Sequence, residues 1–359
     1  MSAAVRVLVV GLGHMGASHL RAYLALDGFE VVGVCTRQPP AQAGVAALIG
    51  GIPHFTGYAE ALAALRPDAV SINTWPDTHA AFARQAFAAG AHVFVEKPLA
   101  DTLDDARGVV EAAVAAGRKL VVGYILRHHP SWARLVELAR GLGKPLVMRM
   151  NLNQQSAGEA WAGHRNLMRS VSPIVDCGVH YVDMMCLMTG ARPVRVHAIG
   201  ARLTDDVAHD MYNYGQLQVS FDDGSVGWYE AAWGPMVSET AYFVKDVIGP
   251  RGSVSIVTPE QAGEGAAKSS DIEGHTRTEA IRLHHAALGP DGALLRADEV
   301  FRMDDEPGHD ALCRREQAFF LDAIRSDADL SDHMREAVES LAIVLAADQS
   351  IRTRQVVML

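Results

Sequence analysis

Val5-Arg6-Val7-Leu8-Val9-Val10-Gly11-Leu12-Gly13-His14-Met15-Gly16 is the stretch that decides the fold. An apolar run stops at a glycine, and two more glycines follow at fixed spacing as a helix-period segment opens over 15–26. Each glycine has a physical task. Gly11 permits the tight turn, Gly13 lets the backbone approach a pyrophosphate, and Gly16 lets the helix pack closely on the strand. Helix N-terminal amides then meet the negative charge. Gly11, Gly13, His14, Met15 and Gly16 are therefore cofactor-binding candidates, the alternative being a packing turn that holds no ligand.

Outward from this turn, short apolar runs at 31–35, 69–73, 92–95 and 120–123 alternate with helix-period segments at 41–48, 58–65, 78–89 and 103–116. Strands separated by helices of that length imply right-handed crossovers and a parallel sheet, so residues 1–125 read as a doubly wound α/β domain. The pattern then changes. A helix over 131–140, a strand over 145–154 and one long amphipathic helix over about 173–189 lead into strand-like stretches at 194–203, 215–221, 226–232, 241–247 and 253–257. Asp222-Asp223-Gly224 is a turn signal between two of these. Residues 126–359 are expected to form an α+β domain with a largely antiparallel open sheet, used for substrate binding and oligomerisation. Residues 259–305 are polar and interrupted by glycine and proline, and read as excursions over the surface. Helices over about 310–325 and 333–347 and a strand-like 355–359 close the chain, and this C-terminal segment has the option of packing back on the first domain.

With 359 residues, 49% of them hydrophobic and 21% charged, the chain can bury more than one core. A net charge of -10 argues against nucleic acid or an anionic membrane as partner. No apolar run approaches ~18 residues, and no targeting pattern precedes the first strand. The four cysteines lack C-x-x-C spacing, which fits reduced thiols in a cytoplasm.

Glu96-Lys97-Pro98 ends an apolar run one crossover beyond the glycine turn, at a strand end where ligands bind in open α/β sheets. Lys97 is either aimed at the cofactor or solvated at the strand exit. The second strand ends in Cys35-Thr36-Arg37 without the carboxylate that would grip a ribose 2′-hydroxyl. Arg37 could pair with a 2′-phosphate, so Thr36 and Arg37 tilt an NAD(P) site toward NADP. Asn73, Thr74, Pro76 and His79 close a further strand and begin a helix, where they either hold the nicotinamide ribose or reflect ordinary capping by Thr78 or Asp77.

These motifs, with Gly123–Pro130 and Asp176-Cys177-Gly178-Val179-His180 plus Asp183, resemble the Gfo/Idh/MocA oxidoreductase family. The resemblance spans about half of the chain and implies an N-terminal Rossmann domain, an NAD(P) cofactor and oxidation of a secondary hydroxyl on a sugar, cyclitol or sugar derivative. It further implies Lys97, Asp176 and His180 as the reactive centre, with Glu96 and Lys97 beside the nicotinamide. The residues themselves agree. Ser172-Pro173 reads as a cap and first-turn proline, placing Asp176 and His180 four apart on one helix face and Asp183 one turn on. His180 can accept the hydroxyl proton, Asp176 can orient the His180 ring or grip a neighbouring hydroxyl, and Lys97 can stabilise alkoxide charge. Lys97 as the base is the alternative.

Asp183 reads better as part of a structural network. Arg127 either contacts substrate or forms a salt bridge. Asn153, Gln154, Gln155, Trp161, His164 and Arg165 precede the catalytic helix and would suit a hydroxyl-rich or anionic substrate, or a loop against a neighbouring subunit. No metal is expected, because His128-His129 and His284-His285 are adjacent pairs that point apart. A homodimer or homotetramer is expected from the open sheet. A glycoside hydrolase that oxidises its substrate transiently and reuses the same dinucleotide is the rival activity.

Overall fold

The computed structural model describes residues 3–37, 43–238, 244–257, 269–270 and 278–359. The chain forms two compact units, Met1–Ile125 with Pro307–Val338, and Leu126–Glu306 with Glu339–Leu359.

In the first unit β1 (Val5–Val10), α1 (His14–Leu24), β2 (Phe29–Cys35), α2 (Ala43–Leu48), β3 (His54–Phe55), α3 (Tyr58–Leu65), β4 (Ala69–Ile72), α4 (Pro76–Ala88), β5 (His92–Val95), α5 (Leu103–Ala116) and β6 (Leu120–Val122) alternate. The sheet runs β3-β2-β1-β4-β5-β6, and every pairing is parallel. Such a sheet is covered on both faces, which is why the middle of β1 is pure Val and Leu with no exposed surface at Val7, Leu8 or Val9. The strand order reverses between β1 and β4, and the crevice at that switch point is where such sheets bind ligands.

The second unit is built from α6 (Pro130–Arg140), β7 (Val147–Gln155), α7 (Gly158–Leu167), α8 (Pro173–Asp176), α9 (Gly178–Thr189), β8 (Pro193–Ala201), β9 (Tyr214–Phe221), β10 (Val226–Gly234), β11 (Lys245–Gly249), β12 (Gly252–Val257), β13 (Ala280–His285) and β14 (Glu299–Arg302). Two helices and a strand end the chain, α10 (His309–Arg325), α11 (Ser331–Thr353) and β15 (Val357–Met358). α10 belongs to the first unit, where it packs on α1 and adds Phe320 to the core around Leu20, Tyr23 and Phe94. The nine-stranded sheet runs β14-β13-β12-β11-β7-β10-β9-β8-β15. Among the described strands of this sheet, β7 and β10 pair in parallel and the other pairings are antiparallel. β10 alternates faces as a half-covered strand must: Tyr229 and Ala231 are buried while Glu230 is partly exposed. Tyr181 of α9 stacks on Tyr229 with ring centroids 5.0 Å apart, and Trp132 of α6 meets Tyr181 edge-on at 5.7 Å.

Three expectations change here. The single helix over 173–189 is two, broken at Cys177. A side chain on Gly178 would come within 2.9 Å of the Tyr229 ring, so this residue is the close approach of helix to sheet, and the amide of His180 bonds back only three residues, to Cys177. The span 259–305 is not purely surface excursion. β13 and β14 lie in it and extend the sheet, with Ile281 fully buried and Arg282 and His284 interleaved with Ile281 and Leu283. The strand expected over 241–247 is observed as β11 from Lys245 onward; 241–243 lie outside the described residues. Among the described residues no helix is long and apolar enough to cross a membrane.

Candidate active site

At the first unit's switch point the glycine turn is closed on two sides and open on one. Gly11 has φ +82°, and a Cβ there would lie 2.6 Å from the Asn73 carbonyl oxygen. A Cβ on Gly16 would sit 1.9 Å from the Gly11 oxygen, so the helix start rests directly on the turn. Gly13, the N-cap of α1, would place its Cβ in open space, with nothing within 4 Å. That opening faces a helix N-terminus whose first amides lack intrahelical partners, a cradle that fits a dinucleotide pyrophosphate. His14 is exposed beside it and Met15 half-buried. Thr36 is half-buried and Arg37 exposed at the end of β2.

Other strand-end candidates spend their polar atoms on the protein. Asn73 is buried and donates its amide to Val10 O and Ser71 O, while its own oxygen accepts from Ser71 Oγ. The Thr74 and Thr78 hydroxyls bond each other at 2.6 Å. Trp75 occupies the N-cap position of α4 with no side-chain capping bond, so neither Thr78 nor Asp77 caps the helix, and Pro76 stands at its first turn. His79 is fully buried, with Nδ1 2.7 Å from Pro98 O and Nε2 3.0 Å from Thr74 O. It therefore ties the Thr74 turn to the Glu96-Lys97-Pro98 strand end instead of lining a cleft. Burial holds its imidazole below the ordinary histidine range, against the pull of both carbonyls.

Glu96 is buried beneath Lys97, which is half-buried. One carboxylate oxygen is 2.7 Å from His19 Nε2, and the other accepts the Lys97 amide at 3.2 Å. His19 Nδ1 in turn meets Gln317 Nε2 at 2.9 Å. His19, Cys313 and Glu316 also bring ligand-capable atoms within 4.8 Å of one another. Both nitrogens of His19 are already engaged, however, so the cluster does not offer three free ligands. Burial keeps the Glu316 carboxyl well above its usual range, helped by the charge of Glu96.

In the second unit Asp176 and His180 flank the helix break. Ser172 Oγ accepts from the Val175 amide, and Pro173 stands in the first turn of α8. Cys177 Sγ lies 3.5 Å from Asp176 Oδ2 and 3.6 Å from Gln154 Oε1, the oxygen that also accepts the Trp233 indole N–H at 2.7 Å. His164 stacks on Trp233 at 4.3 Å and 8° and shares a 3.0 Å hydrogen bond with Ser156. Burial lowers its pKa to about 4, with the Asp176 charge opposing, so its ring is neutral at physiological pH. Gln154, Asp176, Cys177, His164 and Trp233 thus form one polar and aromatic cluster.

Other candidates lie apart from it. Residues alternate faces along β7, so while Gln154 reaches Cys177, Asn153 donates instead to Glu230 at 2.7 Å. Asn153 and Glu230 line a cleft of about 300 Å³ with Tyr214 and Met236. The Gln155 amide bonds Ser269. Trp161, on α7 with His164 and Arg165, donates to Asp206 at 3.1 Å, and Arg165 approaches the same carboxylate at 3.9 Å. Arg127 grips fully buried Asp183 with both arms of its guanidinium, at 2.8 and 2.5 Å, and so belongs to a structural ion pair. His284 and His285 each face a carboxylate of their own, Asp298 and Glu299. Sequence reasoning missed His19 and Gln317. The available signal was a histidine on the apolar face of α1.

A family model described as "Oxidoreductase family, NAD-binding Rossmann fold" matches residues 5–124, and the "GFO/IDH/MocA C-terminal domain" matches residues 134–255. The chain is 28% identical over 277 residues to inositol 2-dehydrogenase 3 of Saccharopolyspora erythraea, covering 74% of this chain and 77% of that one. It is 33% identical over 233 residues to 4-carboxy-2-hydroxymuconate-6-semialdehyde dehydrogenase of a Sphingobium species, covering 62% and 70%. The fold superposes on the WlbA dehydrogenase from Bordetella pertussis, solved with NADH and UDP-GlcNAcA, with a TM-score of 0.76 over 99% of both chains at 21% identity.

Proposed function

As the chain belongs to the Gfo/Idh/MocA oxidoreductase family, we propose that it is an NAD(P)-dependent dehydrogenase moving a hydride between nicotinamide and a secondary hydroxyl of a sugar, cyclitol or sugar derivative. The observation that carries this reading is the glycine turn, closed at Gly11 and Gly16 and open at Gly13 above a helix N-terminus. An inositol dehydrogenase among the relatives and a nucleotide-sugar complex among the structural neighbours support the substrate class. The semialdehyde dehydrogenase marks the breadth that a substrate screen must cover.

Bound at the turn, the dinucleotide supplies the hydride acceptor. Loss of hydride from a CH–OH carbon requires a group within hydrogen-bond reach of the oxygen to take its proton. His180 is assigned to that proton, Asp176 to a neighbouring hydroxyl or to orienting the imidazole, and Lys97 to the negative charge growing on oxygen. Of the neighbours Asn153 and Gln154, Gln154 is the one assigned to the substrate, because it shares Cys177 as a neighbour with Asp176. Exposed Arg37 is assigned to a 2′-phosphate. Arg37→Ala is then expected to weaken NADP binding about fivefold and to leave NAD unchanged by calorimetry, an exposed charge pair contributing at most about 1 kcal/mol. Assembly as a homodimer or homotetramer through the open nine-stranded sheet completes the reading, and size-exclusion chromatography with light scattering tests it.

The functional test is a screen of inositols, nucleotide sugars, hydroxy-semialdehydes and aryl glycosides, following both the nicotinamide absorbance and aglycone release. Reduced nicotinamide formed with an inositol or a nucleotide sugar is expected. Aglycone release without net change in the nicotinamide band would transfer the reading to redox-assisted hydrolysis. Turnover confined to semialdehydes would overturn the substrate class.

A further inference from the structure

Beneath Lys97 lies a chain of buried hydrogen bonds whose direction can be derived from its two ends. Tyr23 donates its hydroxyl proton to Gln317 Oε1 at 2.5 Å, which turns the Gln317 amide nitrogen toward His19 Nδ1, 2.9 Å away. An amide nitrogen only donates, so Nδ1 must accept. At the opposite end His19 Nε2 faces a Glu96 oxygen at 2.7 Å, and a carboxylate only accepts, so Nε2 must carry the proton. Both ends demand the same tautomer. Neither His19 nor Gln317 has any exposed surface, and the Phe94 ring lies 4.7 Å from the imidazole. The second Glu96 oxygen then accepts the Lys97 amide, at 3.2 Å.

We propose that Tyr23, Gln317 and His19 form a tautomer-fixing strut that sets Glu96 and, through it, the backbone from which Lys97 projects. His19 and Gln317 are thus positioning residues for the reaction. The inference rests on the reading that Lys97 acts on the substrate oxygen. Its physical motive is that a charged side chain at a strand end works only if its backbone is held, since a displacement of about 1 Å at a reacting group can cost around a hundredfold in rate. α10 contributes Gln317, which explains a buried amide at the middle of a helix whose buried face also carries Leu312, Cys313, Phe320 and Leu321.

Two measurements on the full chain with its dinucleotide test this. Long-range proton–nitrogen spectra of the unsubstituted protein, labelled at histidine, are expected to show His19 protonated at Nε2 alone; protonation at Nδ1 overturns the strut and requires no variant to fold. Gln317→Glu offers Nδ1 an acceptor instead of a donor, and His19→Leu removes the donor to Glu96. Each is expected to lower kcat about tenfold to a hundredfold while KM for the dinucleotide stays within about twofold. His19→Gln, which can still offer Glu96 an amide N–H, is expected to recover part of the loss. If Lys97→Met abolishes turnover while His19→Leu and Gln317→Glu keep wild-type kcat, the strut is wrong and the role of Lys97 stands. If Lys97→Met itself retains turnover, the assignment of Lys97 fails, and the tautomer spectrum still decides whether the strut exists.

Discussion

Around Lys97, His19, His79 and Asn73 spend their side-chain polar atoms on protein partners, and Glu96 is held from below and from its own neighbour. Around Asp176 the arrangement is different. Gln154 commits its oxygen to Trp233 and Cys177, but among the described residues its amide nitrogen has no protein partner, and His164 is a neutral ring stacked on an indole. A region with saturated polar groups cannot adapt to a ligand without breaking bonds that cost about 1–3 kcal/mol each to leave unmade. A region with a spare donor and a flat aromatic wall can. On the proposed reading, the first cluster fixes the cofactor end and the second recognises the substrate.

Substitutions can break or sharpen that contrast. Lys97→Met should lower kcat by about 10³-fold, within the range typical of a lost acid–base or charge-stabilising group, with dinucleotide affinity nearly unchanged by calorimetry. A comparable loss confined to KM would place Lys97 with the recognition residues instead. Arg127→Met should leave Asp183 buried without its bidentate partner and destabilise the protein by about 3–5 kcal/mol, read as a fall in Tm or in the denaturant midpoint. Gln154→Leu should raise substrate KM about tenfold, the worth of one polar contact, while sparing the dinucleotide.

The smallest expected effect concerns stability alone. Lys245 is 3% exposed, its ammonium 5.8 Å from the Trp132 and Tyr181 ring centroids, and burial lowers its pKa to about 7 against the opposing charge of Glu306. The unfolded chain holds that proton up to about pH 10.5, so the folded protein carries the full penalty below pH 7 and loses it as pH rises between those values. Lys245→Met should therefore stabilise the protein by about 1 kcal/mol at pH 7, and the gain should shrink toward pH 10 in urea melts. A gain that grows with pH would contradict the assignment.

Sequence legibility divides along the same line. The glycine turn was readable because each glycine answers to a steric requirement at fixed spacing, and the parallel sheet followed from strand and helix lengths. Ser172-Pro173 announced a helix start for equally local reasons. What stayed hidden depends on partners distant in sequence. The break at Cys177 sits where Gly178 closes on Tyr229, 51 positions on, and His19 is bonded to Gln317, 298 residues away. Asn153 and Gln154 could not be told apart without the strand's parity, which the pairing of β7 with β10 fixes. β13 was obscured because Arg282 and His284 alternate with Ile281 and Leu283, a half-buried strand in polar dress.

The most direct test of the central claim is single-turnover hydride transfer, followed at the nicotinamide band, in Lys97→Met, His180→Ala and the double variant. If both side chains serve one chemical step, the double variant should be no more than about tenfold slower than the slower single, because groups that act as a unit lose their effect together. Losses that multiply, or a single variant that keeps the wild-type rate, would contradict the account.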